Sequence, residues 1–189
     1  MIAVGIVIVW LWLRDFRSRG DARRAHPLPG ATPCPAGVVL VGAAVGLALV
    51  AAETAGESWL GIAHEQSTIT PLFALWTLVA ATLEEIIFRG YLVIDRRGTA
   101  ALWIGVLVFS VGFAALHPFL WAWDEAGFRW TPGLKGWFST AFALAGSVAF
   151  YSLRFNRWNP ALSLLPCFAA HLAKNASVIA VKAAQGYVG

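Results

Sequence analysis

The chain reads as a succession of long apolar stretches broken by short polar ones, with apolar segments at 1–13, 36–54, 70–93, 99–121, 136–153 and 160–182. Runs such as Ala36–Ala52 and Ala100–Leu116 do not alternate polar and apolar positions. Only helices and closed barrels satisfy every backbone group inside lipid, and barrel strands alternate with a period of two. The pattern therefore predicts an all-α polytopic membrane protein, with about six transmembrane helices in one bundle around an intramembrane polar cavity. The first segment is short: Ile2–Leu13 gives about 18 Å of helix, against a hydrocarbon core of about 30 Å.

Composition agrees with this picture. The 189 residues are 59% hydrophobic and 13% charged, with a mean hydropathy of +0.68; soluble domains have about 45–50% apolar and about 25% charged residues. No Gly/Ser linker or second composition zone divides the chain, so 1–189 reads as a single transmembrane domain. No internal repeat of the kind that builds many transporters is visible. The connection 14–35 is basic and Pro-rich, with Pro27, Pro29, Pro33 and Pro35, and is expected to be irregular.

The net charge of +4 does not describe a nucleic-acid surface, because Arg14, Arg17, Arg19, Arg23 and Arg24 flank the first segment as a juxtamembrane anchor. Arg96, Arg97, Arg154 and Arg157 occupy alternate connections, whereas the intervening ones carry Glu53, Glu57, Glu65, Asp124 and Glu125 against Arg129 and Lys135. Basic residues mark the cytoplasmic side, so 14–35, 95–98 and 154–159 are expected there and the C-terminus outside. The N-terminus lacks the positive region of a cleaved signal peptide. Cys34 and Cys167 support neither a disulfide framework nor a metal site. Trp10, Trp12, Trp121, Trp123, Trp130 and Trp158 lie near segment ends, as an interfacial belt would place them.

Ionisable groups inside apolar helices are costly and mark function unless they are paired. Here they are Glu84, Glu85 and Arg89 in the third segment, His117 in the fourth, and His171 and Lys174 in the sixth, with Asn175 beside them. His26 and His64 fall in polar connections. Glu85 and Arg89 are four apart and share a helix face, which predicts an ion pair and leaves Glu84 without an in-helix cation. His171 and Asn175, also four apart, point the same way, and Phe113 lies one turn before His117, where it can pack under the imidazole. Lys174 is expected to snorkel or to pair with a carboxylate. One carboxylate, two imidazoles and an amide suit hydrolysis of an acyl bond. A carboxylate and an imidazole polarise water, while an imidazole and an amide donate to the oxyanion.

At these residues the chain resembles the CPBP family of intramembrane proteases, which includes the CAAX prenyl endopeptidases and the bacterial Abi proteins. Glu84-Glu85-Ile86-Ile87-Phe88-Arg89 is similar to the family's EExxxR motif, Phe113–His117 to FxxxH and His171–Asn175 to HxxxN. The resemblance implies catalytic helices within 70–182 and hydrolysis of a peptide bond near the C-terminus of a membrane-associated or lipidated protein or peptide. It implies that Glu84 and His117 activate water, that His171 and Asn175 hold the oxyanion, and that Glu85, Arg89 and Phe113 support them. The expected partners are such a substrate and the lipid bilayer, and the expected location is the bacterial inner membrane.

Two alternatives remain open at this point. A Glu with two His is also a possible catalytic zinc set, but no HExxH places two ligands on one helix, and no cofactor is expected. A transporter or a non-catalytic scaffold is the other alternative, although every motif residue is present. One tension stands in the spacing. Glu84 lies twelve residues from Arg96 and His117 twenty from Arg97, which in straight helices separates their depths by about 12 Å. Tilt, a late start of the fourth helix near Trp103, or a break before Pro118 would reconcile them.

Overall fold

The computed structural model describes residues 2–18 and 28–189. Arg19, Arg23, Arg24, His26 and Pro27 of the basic connection lie outside the described residues. Six α-helices follow in order: α1 (Ile2–Arg17), α2 (Ala36–Trp59), α3 (Pro71–Glu84), α4 (Thr99–Leu116), α5 (Leu134–Arg154) and α6 (Leu165–Ala184). α3 continues directly into a π-helical segment, Glu85–Tyr91, and a short antiparallel hairpin, β1 (Trp121–Asp124) and β2 (Gly127–Trp130), joins α4 to α5.

Local chemistry sets the boundaries. Thr70 caps α3 by accepting the Phe73 amide at 3.1 Å, and Pro71, which has no amide to satisfy, opens the helix. α4 stops at Leu116, short of the expected end of its segment at 121. Pro118 disfavours helical backbone at the residue before it, and His117 is extended, with φ −79° and ψ 129°. The last residues of that segment turn into the hairpin, where Asp124 accepts from the Ala126 amide and pairs with Arg129.

Among the described residues, three helical stretches are long and apolar enough to cross a membrane: Ala36–Trp59, Pro71–Tyr91 and Thr99–Leu116. α1, at 16 residues, is shorter than a span. α5 and α6 have 21 and 20 residues, but their apolar runs are diluted by Lys135, Ser139, Thr140, His171, Lys174 and Asn175. The described residues thus hold the expected all-α arrangement of six helices, three of them apolar enough by length and composition to be candidate spans.

The site depends on how closely α2 and α6 approach. A Cβ on Gly42 would sit 2.2 Å from the Pro166 carbonyl oxygen, and one on Gly46 2.1 Å from that of Ala170. Two glycines four apart present bare backbone, as small residues do wherever membrane helices touch. α1 docks through Trp12, which is 2% exposed. Its indole Nε1 donates to the Pro29 carbonyl at 3.1 Å, and its ring meets Phe168 edge-on at 4.8 Å. Trp12 is therefore core and not interfacial belt, because a partner for its polar nitrogen lies inside the fold. The polar connections gather at two ends. Thr32 with Ala161 and Ser163, and Arg154 with Gly90, meet at one end. Glu57 and Lys135, and Ser67 and Lys182, meet at the other.

Candidate active site

The first motif sits where the helix changes its winding. Glu84 is the last residue of α3 and Glu85 the first of the π-helical segment, which closes with the Leu92 amide donating to the Ile87 carbonyl, five residues back, at 2.9 Å. The last carbonyls of a helix find no donor within it, and α5 supplies donors from outside. The Tyr151 hydroxyl lies 2.7 Å from the Phe88 carbonyl and 3.0 Å from that of Leu92, and Arg154 Nη1 donates to Gly90 at 3.1 Å. Arg154 is thus buried in the fold and does not stand as a free juxtamembrane charge. Sequence reasoning missed Tyr151 and Arg154; a tyrosine and an arginine three apart at the end of an apolar run were the available signal.

Glu85 and Arg89 are both 0% exposed and paired through Oε1 and Nη1 at 3.0 Å. The guanidinium carbon also lies 4.6 Å from the ring centre of Phe113, 5.1 Å from Tyr151 and 5.4 Å from Phe150. Among the described residues its Nε and Nη2 have no hydrogen-bond partner, and aromatic faces surround that part of the charge. The same Glu85 oxygen accepts a second bond, 2.7 Å from Nδ1 of His171. A carboxylate can only accept, so Nδ1 carries the proton and Nε2 is the ring nitrogen left for chemistry. That Nε2 stands 3.8 Å from Oε2 of Glu84. Glu84 itself is 31% exposed on its side chain, unlike its neighbour.

His117 is fixed by the same logic. Its Nδ1 lies 2.8 Å from the Phe113 carbonyl, which only accepts, so the neutral ring keeps its lone pair on Nε2. The Phe113 ring packs on the imidazole at 4.6 Å between centres, and Phe119 stacks on it at 5.6 Å. Phe113 therefore touches His117 with both its ring and its carbonyl, and its ring also lies 6.3 Å from that of His171. Asn175 donates one amide hydrogen to the Thr77 carbonyl at 3.0 Å, which leaves its second N–H unspent. Lys174 lies 3.5 Å from Glu53.

His117, His171 and Asn175 line one cavity of about 400 Å³, with Phe113, Phe142 and Phe150 on its walls. Glu84 is not part of that wall and faces His171. Among the described residues no three His, Cys, Asp or Glu side chains form a group that could hold a metal ion. The depth difference expected between Glu84 and His117 assumed straight helices, and the connection after the π-helical segment departs from that. Ile94 packs over Gly105, with its side chain 3.3 Å from where a Cβ would stand. Residues 92–98 are not helical, so a count at helical rise from Arg96 and Arg97 does not measure the depths of Glu84 and His117. The chain thus doubles back along α4 before that helix begins, and α4 breaks before Pro118.

Residues 66–177, more than half of the chain, match the family model described as Rce1-like, type II CAAX prenyl endopeptidase Rce1-like. No curated protein and no solved structure gives a match. The matched region contains all three motifs, the π-helical segment and most of the residues that line the cavity. The chain is an integral membrane protein that belongs to the Rce1-like type II CAAX prenyl endopeptidase family, a family of intramembrane proteases.

Proposed function

We propose that this protein hydrolyses a peptide bond near the C-terminus of a membrane-associated or lipidated protein or peptide, using water activated by Glu84 and His117. The observation that carries the reading is the cavity of about 400 Å³ where His117, His171 and Asn175 meet, with Glu84 3.8 Å from His171. A water held by the Glu84 carboxylate and the Nε2 lone pair of His117 loses a proton as its oxygen attacks the scissile carbonyl. The oxyanion is met by the free N–H of Asn175 and by Nε2–H of His171 in its imidazolium form, for which Glu85 supplies the counter-charge. Collapse breaks the C–N bond, and the proton taken from water passes to the leaving amine. Glu85 and Arg89 touch no substrate atom in this scheme; they set the ring of His171. No metal is required, since base and oxyanion donors are supplied by side chains.

The aromatic walls suit an apolar or lipid-bearing peptide presented from the bilayer. The arginine-rich connections and the composition favour the bacterial inner membrane. The test is C-terminal mass spectrometry of membrane proteins from cells carrying either the native protein or Glu84→Gln. The expected result is one or more proteins that keep an unprocessed tail only in the variant. Identical C-termini in both would overturn the reading.

A further inference from the structure

The catalytic cavity continues into a second hollow of about 330 Å³ at the acidic end of the molecule, and Glu53, Ser67, Phe119, Lys174 and Lys182 line both. Three lysines face this hollow. Lys135 is ion-paired with Glu57, whose other oxygen accepts from Gln66 at 2.6 Å, and Lys174 is 3.5 Å from Glu53. Lys182 differs. Among the described residues it has no carboxylate within 4.0 Å, and its Nζ donates to the Ser67 carbonyl at 2.6 Å. An ammonium has three N–H groups, so two remain. Glu65, the remaining acidic side chain on the hollow, is exposed.

The ammonium is also held in place. The Ile69 amide donates to the Tyr187 carbonyl at 2.9 Å, and the Gly189 amide to the Ile69 carbonyl at 3.1 Å. That short strap fixes the Ser67 carbonyl against the end of α6, and the Tyr187 ring lies 5.8 Å from Nζ. His171, Asn175, Val178 and Lys182 succeed one another at spacings of four, three and four residues, so they share one face of α6. The eleven residues from His171 to Lys182 span about 16 Å along the helix. Extended peptide advances about 3.3 Å per residue. A short stretch of chain, met by a long lysine side chain, therefore bridges the reacting carbonyl and the ammonium.

We propose that Lys182 receives the free α-carboxylate at the C-terminus of the substrate. The proposal rests on the hydrolytic reading above and adds what makes that site select chain ends. An anion completes the ammonium with charge-assisted hydrogen bonds, whereas an internal peptide segment offers it only neutral carbonyls.

Binding is measured separately from cleavage, on full-length Glu84→Gln protein in bicelles. The probes are two fluorescent pools of randomised hexapeptides, identical except that one ends in a free carboxylate and the other in an amide. The carboxylate pool is expected to bind about tenfold more tightly, the size of one charge-assisted contact. Lys182→Met should bring the carboxylate pool to the level of the amide pool, and Lys182→Arg should preserve the difference. Equal binding of the two pools, or a difference that survives in Lys182→Met, would overturn the proposal. The hydrolytic reading is judged independently by cleavage in the native protein. Cleavage of both pools at equal efficiency would sustain it while removing the carboxylate contact.

Discussion

Nδ1 of His171 lies 2.7 Å from Oε1 of Glu85, the same oxygen that accepts from Nη1 of Arg89 at 3.0 Å. One buried oxygen thus joins the support pair to the site. Glu85 is the orienting group for an imidazole on another helix as well as the in-helix partner of an arginine. Its neighbour Glu84 is partly exposed and 3.8 Å from the outer nitrogen of the same ring, and is the carboxylate to which the proposed chemistry gives the water.

The two adjacent glutamates should therefore fail differently. Glu84→Gln removes a base from a partly exposed position, so the protein should fold with unchanged thermal stability and lose about 10²–10⁴ in rate. Glu85→Gln leaves a fully buried guanidinium without its counter-charge and should cost about 3–5 kcal/mol. Thermal unfolding in detergent, read beside activity, separates them. Adding Arg89→Met to Glu85→Gln should recover part of the stability, but His171 would still lack its carboxylate, so activity should stay low. A destabilised Glu84→Gln beside a stable, inactive Glu85→Gln would reverse the assignment.

Gly46 should tolerate no side chain. A Cβ there meets the Ala170 carbonyl at 2.1 Å, directly before His171, whereas one on Gly37 meets nothing within 4 Å. Gly46→Ala should cost about 1–3 kcal/mol by overpacking and lower activity by shifting His171. Gly37→Ala should stay within about 0.5 kcal/mol of the native protein. Equal melting temperatures for the two variants would contradict the close α2–α6 contact.

Activity should survive chelation. The proposed chemistry draws its base and its oxyanion donors from Glu84, His117, His171 and Asn175, so purified active protein should contain no stoichiometric zinc. Elemental analysis and dialysis against a chelator check this. Activity lost on dialysis and restored by zinc would make His117, His171 and Glu84 ligands instead.

Sidedness can be read with single cysteines. Arg97 and Glu65 are both exposed and sit in connections of opposite charge character. In a background without Cys34 and Cys167, Arg97→Cys should label only from the cytoplasm and Glu65→Cys only from outside. Labelling of both from one side would sink the assigned topology.

What the sequence determined by itself was the set of helices and the family to which the chain belongs. Apolar runs of helical length bounded by Pro, Gly and charge placed the six helices of the described residues to within five residues at each end, because lipid-compatible helices are read from local composition. The spacing of four between Glu85 and Arg89 placed their ion pair for the same reason: it lies within one turn of one helix. Family membership also followed from three short motifs in order. The end of α4 was half legible, since Pro118 announces a break, but the hairpin after it depends on strand pairing that periodicity does not report.

Everything that joins one helix to another was decided by tertiary structure. Nothing local says that Glu85 would bind His171, 86 positions away, or that the Thr77 carbonyl would take one of the two amide hydrogens of Asn175. The π-helical winding at Glu85–Tyr91 is likewise not in its own residues. Donors from Tyr151 and Arg154, some sixty residues later, meet carbonyls at the end of that segment, where no further helical residue could. The fold-back of the connection after the π-helical segment, with Ile94 against Gly105, is also a matter of packing. Sequence encodes which groups are costly to bury, and only the packed chain decides which partners make that burial tolerable.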